Sequence, residues 1–252
     1  MKTAVITGAS AGLGAEFVRQ LADVYPEVEC YWLIARRLDR LEELAATLPG
    51  KEVACISLDL CDPASFDVYQ AKLEAEKPEV ILLINNAGCG YLGCLGEMDT
   101  ASQTRMIDLN LRALTAITNI TIPHMVPGGN ILNVSSIASF CPNPRMTVYS
   151  SSKAYVTAFT VGLAEELRSR NITATAVCPG PMETEFIHLG GIKGQSKTFD
   201  VLPYCDQVKV VGGALRAARA GRTIYTPKLF YKAYRLLAKV LPVKLMVKFA
   251  GT

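Results

Sequence analysis

Three residues in the middle of the chain have types and spacing suited to moving a proton. Tyr149 and Lys153 stand four apart, so on a helix they share a face. An ammonium beside a phenol stabilises the phenolate and lowers its pKa from about 10 towards working pH. Such a tyrosine can donate a proton to a carbonyl oxygen that is being reduced, or accept it in reverse. Ser136, just after an apolar run, is placed to hydrogen-bond the same oxygen. Each taken singly has a plainer reading, as a helix-surface Tyr and Lys and a turn serine.

A second constellation lies near the start. The apolar run 3–7 passes into Gly8, Ala9, Ser10, Ala11, Gly12, Leu13 and Gly14, with a helix expected to open at about Leu13. Small residues at such a turn let backbone approach a pyrophosphate, and a helix N-terminus supplies amides and partial positive charge. The spacing departs from GxGxxG, and any tight strand-to-helix turn can use glycine. Its place after the first strand of an alternating chain favours nucleotide binding. The next apolar run ends at Ala35, followed by Arg36 and Arg37. An acid at that strand end would accept from the ribose hydroxyls of NAD, whereas guanidinium groups suit the 2′-phosphate of NADP. The alternative is a solvated basic turn before a surface helix.

These groups need a scaffold. Short apolar runs at 3–7, 29–35, 52–58, 79–85, 129–135, 172–178 and 222–226 alternate with amphipathic patterns at 12–25, 39–48, 63–76, 101–123, 147–170 and 206–220. The runs are continuous and β-branched, as strands buried on both faces should be. Asp39, and Asp62 followed by Pro63, are suited to start helices. Strict alternation predicts an α/β fold of Rossmann type, a doubly wound parallel seven-stranded sheet with helices on both faces. Its ligands bind at the carboxyl ends of the strands. The 252 residues are expected to form a single domain, with a substrate lid at 183–203 and a basic amphipathic tail at 227–252.

Composition narrows the class. Half the residues are apolar, enough for a large core, and nothing suggests disorder or repeats. There is no signal-peptide pattern and no stretch of about 18 apolar residues, so a cytoplasmic protein is expected. Eight cysteines with two histidines make no metal box. Cys30, Cys55 and Cys178 lie in strand-like runs, where reduced thiols act as small hydrophobes. Residues 1–206 hold 16 Lys and Arg against 23 Asp and Glu, while residues 207–252 hold 10 Lys and Arg and no acid. The tail is a basic segment on an acidic body.

Taken together, the ordered motifs resemble those of the short-chain dehydrogenase/reductase family. Besides the glycine turn there are Asp59 and Leu60 after the third run, and Asn85, Asn86, Ala87 and Gly88 after the fourth. Asn110, Ser135 and Ser136, Tyr149 with Lys153, and Pro179, Gly180 and Thr184 complete the set over about residues 1–185. The resemblance implies an oxidoreductase that passes a hydride directly between NADP(H) and a ketone or secondary alcohol, without metal. It implies Tyr149 as general acid/base and Ser136 as stabiliser of the developing alkoxide. Lys153 would lower the tyrosine pKa and bind the nicotinamide ribose, and Asn110 would hold a water linking Lys153 to solvent. Gly8, Ser10, Gly12, Leu13 and Gly14 would surround the pyrophosphate, and Asp59 would meet adenine. Asn86, Ala87 and Gly88 would line the cofactor cleft, with Thr184 at the carboxamide end. Many NADP-preferring members carry a basic residue where Ala11 stands, so phosphate recognition would rest on Arg36, helped by Arg37 and Ser10. A homodimer or homotetramer through 101–123 and 147–170 is also implied.

The substrate is less legible. Loops 89–98, 137–147 and 183–203 are apolar, with Phe140, Pro142, Pro144, Met146, Phe186, Ile187, Leu189, Ile192 and Phe199, and with Gly190, Gly191 and Gly194 as hinge candidates. Such walls suit a hydrophobic carbonyl compound, a ketosteroid/hydroxysteroid or fatty-chain ketone, or else merely pack the loops down. Lys193 and Lys197 leave open an acidic carrier and hence a 3-oxoacyl thioester. In the tail, Lys228, Lys232, Arg235 and Lys239 form one helical stripe beside Leu229, Phe230, Ala233, Leu236, Leu237 and Val240, before Pro242, with Lys244 and Lys248 beyond. That helix either docks on its own domain or a sister subunit or lies on an anionic membrane. No nucleic-acid recognition module is present. A non-catalytic NADP(H)-binding sensor is the alternative of another class, and the presence of both Tyr149 and Lys153 weighs against it.

Overall fold

The computed structural model describes residues 1–192 and 194–251. The apolar runs become β1 (Lys2–Thr7), β2 (Cys30–Ala35), β3 (Glu52–Ser57), β4 (Glu79–Asn85), β5 (Met125–Val134), β6 (Thr173–Val177) and β7 (Ile224–Tyr225). They form one parallel sheet in the order β3-β2-β1-β4-β5-β6-β7. Helices on both faces complete a Rossmann-type α/β fold. The chain winds from β1 to β3 one way and from β4 to β7 the other. A crevice therefore opens between the carboxyl ends of β1 and β4.

Burial on both faces explains the unbroken apolar strands. Ala4 and Ile6 point into a core shared with helices α1 (Gly12–Val24) and α2 (Leu38–Ala45), through residues such as Phe17, Leu21 and Leu41. Val5, between them, points to the opposite core with Tyr69 and Leu73 of α3 (Ala64–Glu76). The helical stretch predicted at 101–123 is α4 (Thr100–Ile107), a π-helical segment (Asp108–Ala113) and α5 (Leu114–Thr121). Next come α6 (Thr147–Glu166), the short α7 (Glu185–Leu189) and α8 (Lys197–Val201), and α9 (Gln207–Arg219). The tail forms α10 (Leu229–Val240) and α11 (Val243–Phe249).

Element boundaries moved where local signals were weak. β5 begins at Met125, four residues before the predicted start, because Met125 pairs with Val80 across a register shift that Pro127, Gly128 and Gly129 concealed. Helix α2 starts at Leu38, so Asp39 sits in its first turn instead of capping it, where its charge still suits the helix dipole. Pro63 is the N-cap of α3, and the Oδ1 of Asp62 just before it accepts from the Ala64 N–H at 3.0 Å. Among the described residues no helix is long and apolar enough to cross a membrane, and the eight cysteines are free thiols.

Candidate active site

Gly8 closes β1 with φ +65°, and a Cβ there would stand 2.8 Å from Ala87 Cα. Both conformation and space therefore demand glycine. The Thr7 hydroxyl accepts from the Asn86 and Ala87 N–H groups at 3.1 Å each. The Asn86 Nδ2 donates to the carbonyls of Thr7 and Gly8 at 3.2 and 3.0 Å. Asn86 thus lines the crevice and also pins the glycine turn to β4. The N-cap of α1 is Ala11, which offers no side-chain oxygen to the first-turn amides. Ser10, Gly12 and Leu13 border the crevice with those amides, a surface that fits an anionic pyrophosphate. Gly14 lies beneath, against the Gly8 carbonyl.

At the end of β2, Arg36 and Arg37 border the same crevice. Arg37 is already shared, donating to Ser10 Oγ at 3.3 Å and to Glu185 Oε2 at 3.1 Å. Arg40 grips the other Glu185 oxygen at 2.6 Å, and the two guanidinium groups hold that carboxyl below its usual range. Asp59 accepts from the Cys61 N–H at 3.0 Å, with Arg105 at 3.6 Å. Partial burial opposes its charge, yet the Cys61 N–H and the charges of Arg105 and Arg36 outweigh that and hold its carboxyl low. Leu60, Pro179, Gly180 and Thr184 line the crevice further in.

Ser136, Tyr149 and Lys153 meet at the inner end. Ser136 follows β5, where its Oγ accepts from the Ala138 N–H at 3.1 Å. Tyr149 and Lys153 lie one turn apart on α6, with Lys153 Nζ 5.8 Å from the Tyr149 ring centre. The ammonium donates to the Val134 carbonyl at 2.9 Å. Burial dominates both groups. It pushes Tyr149 up to about 12, opposed by a hydrogen bond with Ser136, and pulls Lys153 down to about 8. The expected lowering of the phenol by its lysine is therefore not produced by the protein's own groups, because desolvation by burial is the dominant influence on each.

Asn110 stands behind the wall of the crevice. It falls in the π-helical segment, where the wider turn lets its amide face out of the helix line. Its Oδ1 accepts from the Cys89 N–H at 2.9 Å, and its Nδ2 donates to the Cys89 carbonyl at 2.9 Å and Ser152 Oγ at 3.0 Å. Asn110 thereby fixes the strand-end segment 86–89 against α6. Gly88 lies between, since a Cβ on it would be 3.1 Å from Asn110 Oδ1 and 3.4 Å from Lys153 Nζ.

The crevice continues into a cavity, and the whole has a volume of about 740 Å³. Beyond Tyr149 its lining turns apolar, with Met146, Phe186 and Phe199 from the anticipated loops. Phe186 of α7 packs on the Tyr149 ring at 5.5 Å between centres. Ile187 lines the cavity too and, with Ile192, packs under the loops against Leu92 and Met106, so the segment both lines the cavity and packs. Lys193 lies outside the described residues, as do the side chains of Leu189 and Lys197. The other wall was not anticipated. Tyr231, Tyr234 and Leu237 of α10, then Leu241 and Met246, close the cavity. A signal was present in the tail, since Tyr231, Tyr234 and Ala238 recur at three and four, a buried helical stripe. Cys89 also lines the cavity, and burial pushes its thiol up to about 11.

A sheet with this strand order, a glycine turn at its switch point and a half-buried Ser136 beside the buried Tyr149 and Lys153 define a nucleotide-dependent oxidoreductase fold. The short chain dehydrogenase family model matches residues 2–189, and this chain belongs to that family. A 3-oxoacyl-[acyl-carrier-protein] reductase of Thermotoga maritima is 33% identical over 185 residues, 73% of this chain and 75% of that protein. A short-chain dehydrogenase from Sphingobium yanoikuyae in complex with NADPH superposes with a TM-score of 0.78 at 26% identity, covering 96% of this chain and 97% of that one. A Burkholderia phymatum short-chain dehydrogenase/reductase in complex with NAD shares the fold, with a TM-score of 0.79 at 23% identity over 94% of this chain and 92% of that one.

Proposed function

We propose that this protein reduces a hydrophobic ketone to a secondary alcohol, or runs the reverse reaction, with NADP(H). The observation that carries the reading is the position of the Tyr149 phenol, buried between Ser136 and Lys153 where the crevice becomes an apolar cavity. The pyrophosphate would rest on Gly8, Ser10, Gly12 and Leu13, the adenine beside Asp59 and Leu60, and the 2′-phosphate on Arg36 with part of Arg37. Bound there, NADPH would supply the hydride. The remaining work belongs to side chains. Tyr149 gives its phenolic proton to the substrate oxygen, and a phenol pushed up to about 12 is fully protonated for that task at neutral pH. Ser136 donates a hydrogen bond to the same oxygen, and Lys153 holds positive charge near the phenolate left behind. The aromatic and aliphatic walls from α7 and α10 select a carbonyl compound of steroid-like or fatty-chain bulk.

A 3-oxoacyl thioester is the second reading, favoured by the identity with the Thermotoga maritima reductase. The test is oxidation of NADPH and of NADH by the purified protein with ketosteroids, fatty and aromatic ketones, and 3-oxoacyl thioesters. Turnover of a bulky ketone with NADPH, poor with NADH, is expected. Turnover confined to thioesters selects the second reading. Binding of NADPH with no turnover of any of them selects a sensor instead.

A further inference from the structure

Helix α10 divides into three faces at 3.6 residues per turn. Tyr231, Tyr234 and Ala238 pack inward against the domain. Lys228, Lys232, Arg235 and Lys239 form a cationic row on one side of that stripe. The remaining arc, roughly a third of the circumference, is apolar and faces solvent. It holds Leu229 at 81% exposure, Leu236 at 64% and Val240 at 73%, together with Ala233, Phe230 and Leu237. Val243 and Leu245 of α11 extend it, flanked by the exposed Lys244 and Lys248. Among the described residues no element covers this surface. Contiguous apolar surface of this kind marks an interaction site.

Its position is telling. Phe230, Leu237 and Leu241 belong both to the exposed apolar surface and to the lining of the catalytic cavity. The greasy surface is therefore the rim of the cavity mouth. We propose that the exposed faces of α10 and α11 dock on an anionic lipid bilayer, so that the cavity opens towards the acyl-chain boundary and takes its ketone from the lipid. The docking surface stands on its own observations; the entry of a lipid-dissolved ketone rests on the reductase reading above.

Charge selects this occupant. Residues 207–252 carry ten cations and no carboxylate side chain, so a two-fold pairing through this surface would set two cationic segments side by side. A bilayer with negative headgroups satisfies both the apolar arc and the cations beside it, the pattern of helices that lie in the interfacial plane.

The test uses the full chain with NADPH and extruded vesicles of phosphatidylglycerol and phosphatidylcholine at 1:1, against phosphatidylcholine alone, read by co-sedimentation. Partition at least tenfold stronger onto the anionic vesicles is expected, weakening as salt is raised. The double variants Leu236→Gln/Val240→Gln and Lys232→Glu/Lys239→Glu should each lower it at least tenfold. Both should keep the wild-type melting temperature and the wild-type NADPH-dependent reduction of a water-soluble ketone. Equal partition onto both vesicle types, or partition unchanged in the Leu236/Val240 variant, overturns the proposal. So does a dimer in sedimentation equilibrium that this variant splits into monomers, since the surface would then belong to a second copy. Loss of ketone turnover in wild type with vesicle binding intact would instead count against the reductase reading alone.

Discussion

Tyr231 occupies the space that a side chain on Gly180 would need, its hydroxyl 2.6 Å from where a Gly180 Cβ would lie. That hydroxyl donates to the Pro203 carbonyl at 2.8 Å. One ring thus couples the cofactor-side loop after β6, the segment after α8, and the C-terminal helix that walls the cavity. Gly180→Ala should push α10 outward, because the ring is fully buried and has no room to retreat. An overpacked site of this kind costs about 1–3 kcal/mol. The urea midpoint should fall accordingly, and KM for a bulky ketone should rise more than KM for a small one.

Removing the phenolic oxygen alone tests the proton donor. Tyr149→Phe keeps the ring that packs on Phe186, so the cavity wall survives. Turnover should fall by about 10²–10⁴, the usual contribution of a positioned acid, while NADPH binding by fluorescence stays within a factor of two or so of wild type. Full activity in this variant would falsify the assigned role.

The pH profile reports Lys153. Burial pulls its ammonium down to about 8, so it is charged below that value and neutral above it. A step that needs the charge is supported at low pH and lost as pH rises. The kcat/KM for ketone reduction should therefore decline through about pH 8, far below the value near 10.4 of an ordinary lysine. The same depression bears on stability. The folded state resists protonation of Lys153, so that penalty is complete below about pH 8 and relieved as pH climbs towards the unfolded value. Lys153→Arg, which stays charged, should be slower but should lose the decline near pH 8.

Asn110 acts through Cys89. Asn110→Ala leaves the Cys89 N–H without the acceptor that it has at 2.9 Å, and an orphaned buried donor costs roughly 1–3 kcal/mol. Lower stability and lower kcat are expected together, with the decline near pH 8 retained because Lys153 keeps its own bond to Val134. Asn110→Asp, which preserves the acceptor for Cys89 but forfeits the two donated bonds, should restore part of the loss.

Cofactor choice should respond unequally to the two arginines. Arg36→Leu is expected to raise KM for NADPH about 10- to 100-fold, the worth of one charge-assisted phosphate contact, with KM for NADH little changed. Arg37→Leu should do less to KM, since that guanidinium already serves Glu185. Its larger effect should appear as a loosened α7, read as faster proteolysis near Glu185.

Much of the site was legible because its signals are local. Tyr149 and Lys153 need only a helix to come together, and the glycine turn needs only a strand before it. Seven unbroken apolar runs alternating with amphipathic ones admit little besides a parallel sheet with helices on both faces. What stayed hidden depends on partners distant in sequence. The π-helical turn at Asn110 carries bonds to Cys89 and Ser152, 21 and 42 residues away. Arg37 is committed by a carboxylate 148 residues away. The pKa values of Tyr149 and Lys153 follow from burial, which spacing cannot express, and burial reversed the direction expected for the tyrosine. The tail showed its cations and apolar stripe to sequence reading. Only the packing of Tyr231 and Tyr234 decided that one face closes the cavity and left the neighbouring face exposed at its mouth, because the choice of buried face on an amphipathic helix is made by the surface it meets.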